Sequence, residues 1–433
     1  MMLAAAGTGA FVGPTFLQRA AFAADSRGRR RVLICIFLRG AADGLSVVVP
    51  HAERELYRLR TSVAIPRPGG EGSAIDLDGF FGLHPSLGAL MPYWRQGHLG
   101  IVHACGSPHP TRSHFDAMDY MESGAPGNKS VRDGWLARAT RLCPEDQAKA
   151  SSPFRAVAMG AALPRILQGD SGALAIPDLR TFGIQGDIAP PAPDRRRRAP
   201  TTGGRAVEPP IASGGFEALY DKAVGDVLYG TGKESFAALD MLKAIDVDGY
   251  VPANGAAYPS GRFGDSLRQL AQLIKADVGM RIGFADIGGW DTHANQTLAN
   301  NPAQGNLANN LRTLGNGIAA FARDLGDRMD DVVVLTMSEF GRTARQNGTG
   351  GTDHGHATCF LALGGGVSGG KVHGAWPGLA PEQLHEGRDL AMTTDFRTVF
   401  REVAAGHLGI ARPDALFPGF EAAGKPVVGL LRG

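Results

Sequence analysis

The sequence predicts an α/β protein built on a mostly parallel sheet. Runs of apolar and β-branched residues recur along the chain, as is typical of strands that are buried on both faces. The clearest runs lie at 31–38, 99–104, 154–159, 280–287, 332–336 and 358–363. Amphipathic stretches at 84–97, 114–122, 263–276 and 307–325 predict helices between these strands. The alternation of strands with helices indicates the α/β class.

Length and composition fit a large globular protein. The chain has 433 residues, of which 43% are hydrophobic and 20% are charged. The formal net charge of +2 gives no reason to expect nucleic-acid binding. Residues 31–433 are expected to form a single domain, because large α/β enzymes often use this length as one unit. Residues 186–215 contain PPAPDRRRRAP and predict an exposed, flexible insertion in that domain.

The first residues, 1–24, have the character of a secretory signal. The apolar stretch at 3–17 is too short to span a bilayer, and Ala21-Phe22-Ala23 is a small-x-small cleavage motif. We therefore expect an exported protein of the periplasm or cell envelope, without a stable membrane span. The alternative is a plain apolar N-terminal helix.

Acidic and imidazole side chains gather where the predicted strands end. In open α/β sheets the carboxyl edge of the strands is the place where ligands bind, and carboxylates with imidazoles are typical metal ligands. The sequence therefore predicts a metal site. Its candidate ligands are Asp43, Asp291, His293, Glu339, Asp353, His354 and His356. Two readings stay open outside this prediction: Asp43 could only cap a turn, and His373 could be a further ligand or a loop histidine.

The spacing of two of these pairs strengthens the prediction. Asp291 and His293 are two residues apart, and so are His354 and His356. If each segment is extended, both side chains of a pair point to one face. Two such pairs after buried strands are hard to explain by packing alone.

A hydroxyl group close to this edge is a candidate nucleophile. Ser113, or less favourably Thr111, precedes the predicted helix 114–122, and Arg112 lies beside it. Free N–H groups at a helix N-terminus favour an anion there. A plain N-cap role for Ser113 is an equally common explanation.

Five motifs together closely resemble the bacterial domain-of-unknown-function family numbered 1501. They are RGAADGLSVVVPH, SPHPTRSHFDAMDYMESG, GGWDTH, SEFGRT and GTDHGHA. That family typically carries twin-arginine signals and is placed, more remotely, with the alkaline phosphatase and sulfatase superfamily. The resemblance implies a three-layer sandwich, with a large mostly parallel sheet between helices and metals at the strand carboxyl ends.

The resemblance also implies roles for particular residues. Asp43 resembles the first-strand aspartate of the superfamily, Ser113 resembles its nucleophile, and Asp291 with His293 resembles its mid-chain ligand pair. Two registers are possible for the next pair. Topology favours Ser338-Glu339, with His354 or His356 as the last ligand, whereas local spelling favours Asp353-His354-Gly355, with His373 last.

The predicted function is that of an exported, metal-dependent hydrolase of phosphate or sulfate esters. Ser113 would attack the anionic ester, and Arg112 or Arg342 would hold its non-bridging oxygens. Zinc suits the mixed histidine and aspartate ligands best, whereas manganese or calcium would suit a more oxygen-rich set. The alternative is a non-catalytic envelope protein that keeps the fold and a metal and assists an exported partner. Plain packing of these polar residues, without a metal, is the third reading.

Overall fold

A computed structural model of the chain describes six stretches. They are residues 30–144, 152–182, 241, 245–298, 301–422 and 427–432. The predicted signal segment at 1–24 and the predicted insertion at 186–215 lie outside the described residues.

A large mixed sheet forms the centre of the described structure. Its strand order is β11-β5-β10-β9-β1-β8-β6-β7, with β12 also paired to β5. A smaller sheet has the order β2-β4-β3. The strands are β1 (Val32–Leu38), β2 (Val48–Val49), β3 (Ile75–Asp76), β4 (Gly82–Leu83), β5 (Leu99–Gly106), β6 (Ala156–Met159), β7 (Leu174–Ile176), β8 (Ile282–Ile287), β9 (Val332–Met337), β10 (Thr358–Gly364), β11 (Lys371–His373) and β12 (Thr394–Asp395).

The pairing in the large sheet is parallel except at one strand. Among the described strands of this sheet, only β10 is antiparallel to its neighbours, β5 and β9. The first residue of β10 therefore lies at the edge of the sheet where β5 and β9 end. This single reversal matters for the site, because it brings the segment before β10 to the carboxyl edge of the parallel strands.

Helices cover both faces of the sheet. The α-helices are α1 (Gly44–Val47), α2 (Arg54–Leu59), α3 (Met91–Arg95), α4 (His114–Ser123), α5 (Trp135–Leu142), α6 (Arg262–Lys275), α7 (Asn306–Leu325) and α8 (Phe396–Gly406). Short 3₁₀ helices occur at Pro85–Leu90, Arg165–Leu167, Gly326–Asp331, Pro381–Gln383 and Pro413–Leu416.

Alternation along β1 divides the core into two layers. Val32, Ile34, Ile36 and Leu38 belong to one hydrophobic cluster, which includes side chains of α6 and α7. Leu33, Cys35 and Phe37 belong to another, which includes side chains of α5 and α8. The period of two explains why the whole run is apolar, since each face of the central strand is buried. The predicted α/β fold, with a large mostly parallel sheet between helices, is confirmed.

One predicted helix is interrupted. The stretch at 84–97 was expected to form a continuous amphipathic helix, but it forms the 3₁₀ helix Pro85–Leu90 followed by α3. Pro92 lies in the first turn of α3, where the missing N–H of proline is tolerated. In a continuous helix the same proline would fall in the interior and break the hydrogen-bond ladder. No helix within the described residues has the length and apolar character needed to cross a bilayer.

Candidate metal centre

Four side chains converge at the carboxyl edge of the large sheet. Asp291 and His293 follow β8, His354 precedes β10, and His114 is the first residue of α4, the helix after β5. His354 Nε2 lies 3.0 Å from His114 Nε2 and 2.9 Å from His293 Nε2. Asp291 Oδ1 is 3.1 Å from His354 Nε2 and 3.0 Å from His293 Nε2. These four residues are called the His/Asp cluster below.

The opposite nitrogen of each ring faces a hydrogen-bond acceptor. His114 Nδ1 lies 2.8 Å from Glu339 Oε1, and His293 Nδ1 lies 2.9 Å from Asp353 Oδ1. His354 Nδ1 lies 2.9 Å from the carbonyl oxygen of Arg112. Carboxylates and carbonyls accept, so each Nδ1 carries the proton and donates it. In the neutral rings every Nε2 is then a bare lone pair turned towards the centre of the cluster.

This arrangement fits a divalent cation. Lone pairs that approach to about 3 Å repel one another unless a proton or a cation lies between them. His114, Asp291 and His354 place one ligand atom each within 4.8 Å of the others. A tetrahedral zinc ion with Zn–N bonds of about 2.0–2.1 Å holds its ligand atoms roughly 3.3 Å apart, close to the separations found here. Outer acceptors behind ligating histidines are also the usual second layer of such sites.

The cluster is open to solvent on one side. The side chain of Asp291 is 45% exposed and that of His293 is 43% exposed, whereas His354 is 24% exposed. The ring of Phe340 closes the inner side, with its centroid 4.9 Å from that of His114 and 5.2 Å from that of His354. A small molecule could therefore reach the exposed side of the cluster, while Phe340 covers the buried side.

The charges of the cluster shift the pKa values of its members in opposite directions. The hydrogen bond that His114 donates to Glu339, aided by the charges of Glu339 and Asp291, raises the pKa of His114. Burial, together with the charge of His114, lowers the pKa of His354. Burial disfavours the charged form of Asp291, but Arg342 outweighs it and the pKa of Asp291 lies below its ordinary value. Without a cation, a protonated His114 can donate to the neutral Nε2 of His354.

Close backbone approach holds these segments together. Gly40 has φ +118°, and a Cβ there would lie 2.7 Å from the amide nitrogen of Asp291. The N–H of Gly40 donates to Glu339 Oε1 at 2.8 Å. Gly351 packs so tightly that a Cβ would lie 2.4 Å from the carbonyl oxygen of His293. The loops after β1, β8 and β9 can therefore meet only because these positions carry glycine.

Of the seven predicted ligands, the structure brings Asp291, His293 and His354 into contact. Glu339 and Asp353 lie behind the histidine rings, where they accept from Nδ1 atoms. Glu339 is fully buried and also accepts from Ser338 Oγ at 3.1 Å. Residues of both alternative motifs therefore lie at this edge: Glu339 from Ser338-Glu339, and Asp353 with His354 from Asp353-His354-Gly355.

The structure does not bring Asp43 to the cluster. Arg60 Nη1 and Nη2 donate to its two carboxylate oxygens at 2.6 and 2.9 Å, and Gln296 Nε2 donates to Oδ2 at 2.7 Å. Asp43 is 1% exposed. Burial alone would raise the pKa of Asp43, but Arg60 outweighs it and lowers this pKa. With both oxygens engaged by donors, Asp43 is a structural anion, and its interpretation as a metal ligand is not supported.

His356 also points away from the cluster. Its Nε2 lies 2.8 Å from the carbonyl oxygen of Ser107, and its ring lies 4.1 Å from that of His385 between centroids. The expectation that His354 and His356 share a face required an extended strand. The segment is not a strand, since His354 makes only an isolated bridge to Arg342 and the chain bends at His356. His373 is likewise elsewhere, with its Nε2 2.9 Å from the carbonyl oxygen of Ser368.

Both predicted anion-binding arginines are hydrogen-bonded to acidic side chains of the chain. Arg112 Nη2 donates to Asp389 and Glu386, at 2.7 Å each. Arg342 Nη1 donates to Asp291 Oδ1 at 2.6 Å, and its Nη2 donates to the carbonyl oxygen of Thr352. Arg342 therefore orients Asp291, and the guanidinium groups are not placed to hold ester oxygens.

A hydrogen-bonded path connects the buried Asp43 to the cluster. Gln296 donates to Asp43 and accepts from Thr352 Oγ1 at 2.7 Å. Thr352 Oγ1 accepts in turn from Arg342 Nε at 3.3 Å. Arg342 then reaches Asp291. The interior aspartate thus supports the site at a distance, through three intervening side chains.

Ser113 is the N-cap of α4, and its Oγ accepts from the N–H of Asp116 at 3.5 Å. It is exposed and stands between two groups of the site, the carbonyl of Arg112 and the ring of His114. The long cap hydrogen bond leaves the hydroxyl weakly engaged. Ser113 is thus adjacent in sequence to a member of the cluster, and its hydroxyl contacts the first turn of its own helix.

Sequence reasoning missed His114. The sequence pattern assigns His114 only to the start of the predicted helix 114–122, directly after the candidate nucleophile Ser113. The available signal was topological, since a helix that begins at the carboxyl edge of a strand directs its first residues towards that edge.

Residues 244–416 match the family described as "Protein of unknown function (DUF1501)". The predicted resemblance to that family is therefore confirmed over this part of the chain, which contains Asp291, His293, Glu339, Asp353 and His354. No curated protein matches the chain. A structure of alkaline phosphatase from the Antarctic bacterium TAB5 is similar at 12% identity and a TM-score of 0.29, covering 78% of this chain and 93% of that chain. At this TM-score no residue role is transferred from it.

Proposed function

We propose that this chain is an exported, metal-dependent hydrolase of phosphate or sulfate esters. The observation that carries the proposal is the convergence of three imidazole Nε2 atoms and the Asp291 carboxylate, with every Nδ1 held by an acceptor. Such a set at the open edge of an α/β sheet is typical of a catalytic metal site, which keeps one side free for substrate.

His114, Asp291 and His354 would hold the ion, with His293 as a fourth donor. A nitrogen-rich set favours zinc over manganese or calcium, which prefer oxygen ligands. A divalent cation bound there would act as a Lewis acid on an ester oxygen. Glu339 and Asp353 keep the rings in the tautomer that presents Nε2, and Arg342 fixes the carboxylate of Asp291.

Ser113 is the proposed nucleophile. Its hydroxyl is exposed at the N-terminus of α4, where unpaired backbone N–H groups favour developing negative charge. The neighbouring residues on both sides of Ser113 are fixed to the cluster, through the Arg112 carbonyl and the His114 ring. The position of the Ser113 backbone is therefore tied to that of the cluster.

One observation favours the non-catalytic alternative. Arg112 and Arg342 are both engaged by carboxylates of the chain, so neither can neutralise the non-bridging oxygens of a bound ester. A metal-binding envelope protein that hydrolyses no ester would need no free arginine at the cluster. The two functions make different predictions for turnover and the same prediction for metal content.

The test is metal analysis of the purified protein, followed by turnover of an aryl phosphate and an aryl sulfate with added Zn²⁺, Mn²⁺ or Ca²⁺. We expect bound zinc and hydrolysis of at least one ester. Ser113→Ala should retain the metal and lower kcat by more than about a thousandfold. Ser130→Ala, which removes an exposed hydroxyl that bonds to Asn128, is the matched control and should keep both.

Metal without turnover of either ester would favour the non-catalytic protein. Unchanged turnover in Ser113→Ala would remove this serine from the proposal and leave the metal site intact. Neither metal nor turnover would favour plain packing of a protonated cluster.

A further inference from the structure

A cavity of about 510 Å³ lies next to Asp353, the residue behind His293 of the His/Asp cluster. Its walls come from α2, from the loop after β9, and from the segment 379–388. Asp353 lines this cavity, and the same side chain holds His293 Nδ1 at 2.9 Å. The volume lies within the range of small-molecule sites, roughly 300–1,000 Å³.

Positive charge predominates in the lining of this cavity. Arg58, Arg345 and Arg388 face two acidic residues, Glu55 and Asp353. Glu55 Oε1 forms an ion pair with Arg58 Nη1 at 2.6 Å. Asp353 Oδ1 accepts hydrogen bonds from His293 Nδ1 and from Asn347 Nδ2, the latter at 3.0 Å. Three guanidinium groups against two carboxylates therefore leave the lining with a net charge of +1, and Arg345 and Arg388 stand outside the Arg58–Glu55 pair.

The two remaining guanidinium groups differ from those at the cluster. Within the described residues, no carboxylate forms an ion pair with Arg345, which is exposed. Arg388 is 41% exposed, and its Nη1 stands 3.8 Å from Asp389 Oδ2, beyond hydrogen-bond distance. Neither Arg345 nor Arg388 is hydrogen-bonded to a carboxylate of the described residues, whereas Arg112 and Arg342 each are.

The cavity also has an apolar wall. Leu59, Leu379, Pro381 and Leu384 are part of its lining. A site for a free inorganic ion would need no such wall, whereas the carbon skeleton of an organic anion would pack against it.

We infer that this cavity binds a second anionic group of the substrate, carried on the same organic skeleton as the ester that reacts at the cluster. The inference rests on the proposed function and narrows its substrate class to esters with two anionic groups. Guanidinium groups bind phosphate, sulfate and carboxylate through paired N–H donors, so Arg345 and Arg388 would recognise the group that does not react.

The test is a binding measurement that needs no turnover. Fructose 1,6-bisphosphate and fructose 6-phosphate are titrated calorimetrically into the purified protein, its bound metal retained. We expect the bisphosphate to bind about tenfold more tightly or better, as a charge-assisted hydrogen bond provides. Arg345→Gln and Arg388→Gln should each reduce that preference by several fold. Arg54→Gln is the matched control and should keep it, because Arg54 is exposed on α2 and lies outside the lining of the cavity.

Equal affinity for the two sugars, or an undiminished preference in both Arg345→Gln and Arg388→Gln, would overturn the inference. The binding and turnover measurements together distinguish failure of the anion subsite from failure of the proposed hydrolase function. A protein that prefers the bisphosphate but hydrolyses no ester keeps the anion subsite and loses the hydrolase. A protein that hydrolyses an aryl ester but shows no preference keeps the hydrolase and loses the subsite.

Discussion

Asp43 and Asp291 look alike in the sequence and differ in the structure. Each follows a central parallel strand, and each is paired with a buried arginine, Arg60 or Arg342. The side chain of Asp43 is 1% exposed and its two oxygens take three donors from Arg60 and Gln296. The side chain of Asp291 is 45% exposed, and its Oδ2 is left facing His114 Nε2 at 3.5 Å.

The difference shows what turns an acidic side chain at a strand end into a candidate ligand. A carboxylate in the interior must have its charge fully compensated, because an unpaired buried charge is very costly. A carboxylate at the rim needs only enough compensation to hold its orientation, so one oxygen remains available. Arg60 compensates a buried charge that belongs to the fold, whereas Arg342 orients Asp291 as a candidate ligand.

The largest expected effect is the loss of the interior pair. Arg60→Met removes both guanidinium donors to Asp43 and leaves a buried carboxylate without its cation. It should lower the free energy of unfolding by about 3–5 kcal/mol, with metal affinity changed by less than about threefold in the protein that remains folded. Urea unfolding and zinc titration measure the two quantities. Loss of the metal at unchanged stability would reverse the roles assigned to the two pairs.

Acid should weaken the interior next. Burial lowers the pKa of His84 and of His103 to about 4, below the ordinary value of 6.5. The unfolded chain therefore binds more protons than the folded chain once the pH falls below about 6.5, and stability decreases from there towards pH 4. The loss should reach about 3 kcal/mol per histidine at the acid limit.

Urea unfolding between pH 7.5 and pH 5, in the presence of a chelator, measures this loss. His103→Gln supplies the control, since its stability should depend less steeply on pH than that of the wild type. Identical slopes in the two proteins would mean that His103 is not buried in its neutral form.

The matched substitution at the rim should have a smaller effect on stability. Arg342→Met leaves Asp291 partly solvated, although Thr352 loses its donor. We expect a loss of about 1–3 kcal/mol in the free energy of unfolding. Metal affinity should fall by about 10–100-fold, because Asp291 loses the group that orients it. Zinc affinity equal to that of the wild type would show that Arg342 does not position this ligand.

The smallest expected effect on the fold comes from Asp353→Asn. The side chain of Asp353 is 49% exposed, so stability should change by less than about 0.5 kcal/mol. Zinc affinity should nonetheless fall by about tenfold, since His293 Nδ1 loses its charged acceptor. Competition with a chromophoric chelator measures the affinity. A stability loss as large as that of Arg60→Met would mean that Asp353 acts in the fold and not at the site.

The parts of the fold and site that the sequence predicts are those that depend on local pattern. The strands that became β1, β5, β8, β9 and β10 are continuous apolar runs, and Asp291 with His293 stand directly after one of them. The parts that failed depend on distant partners. Arg60 binds both carboxylate oxygens of Asp43 through a tertiary contact that local sequence does not show. The bend at His356 cannot be derived from the two-residue spacing of His354 and His356. His114 joins the cluster only because the segment after β5 crosses the ends of other strands, since β10, β9 and β1 lie between β5 and β8 in the sheet.

The most direct test of the site compares two histidines that the sequence treats as a pair. Zinc content and affinity are measured for the wild type, His354→Ala and His356→Ala, each shown to be folded by circular dichroism. His354→Ala should lose high-affinity zinc, because His354 Nε2 contacts each of the other three residues of the His/Asp cluster. His356→Ala should bind zinc as the wild type does. Retention of zinc in His354→Ala, or its loss in His356→Ala, would contradict the assignment of the metal centre.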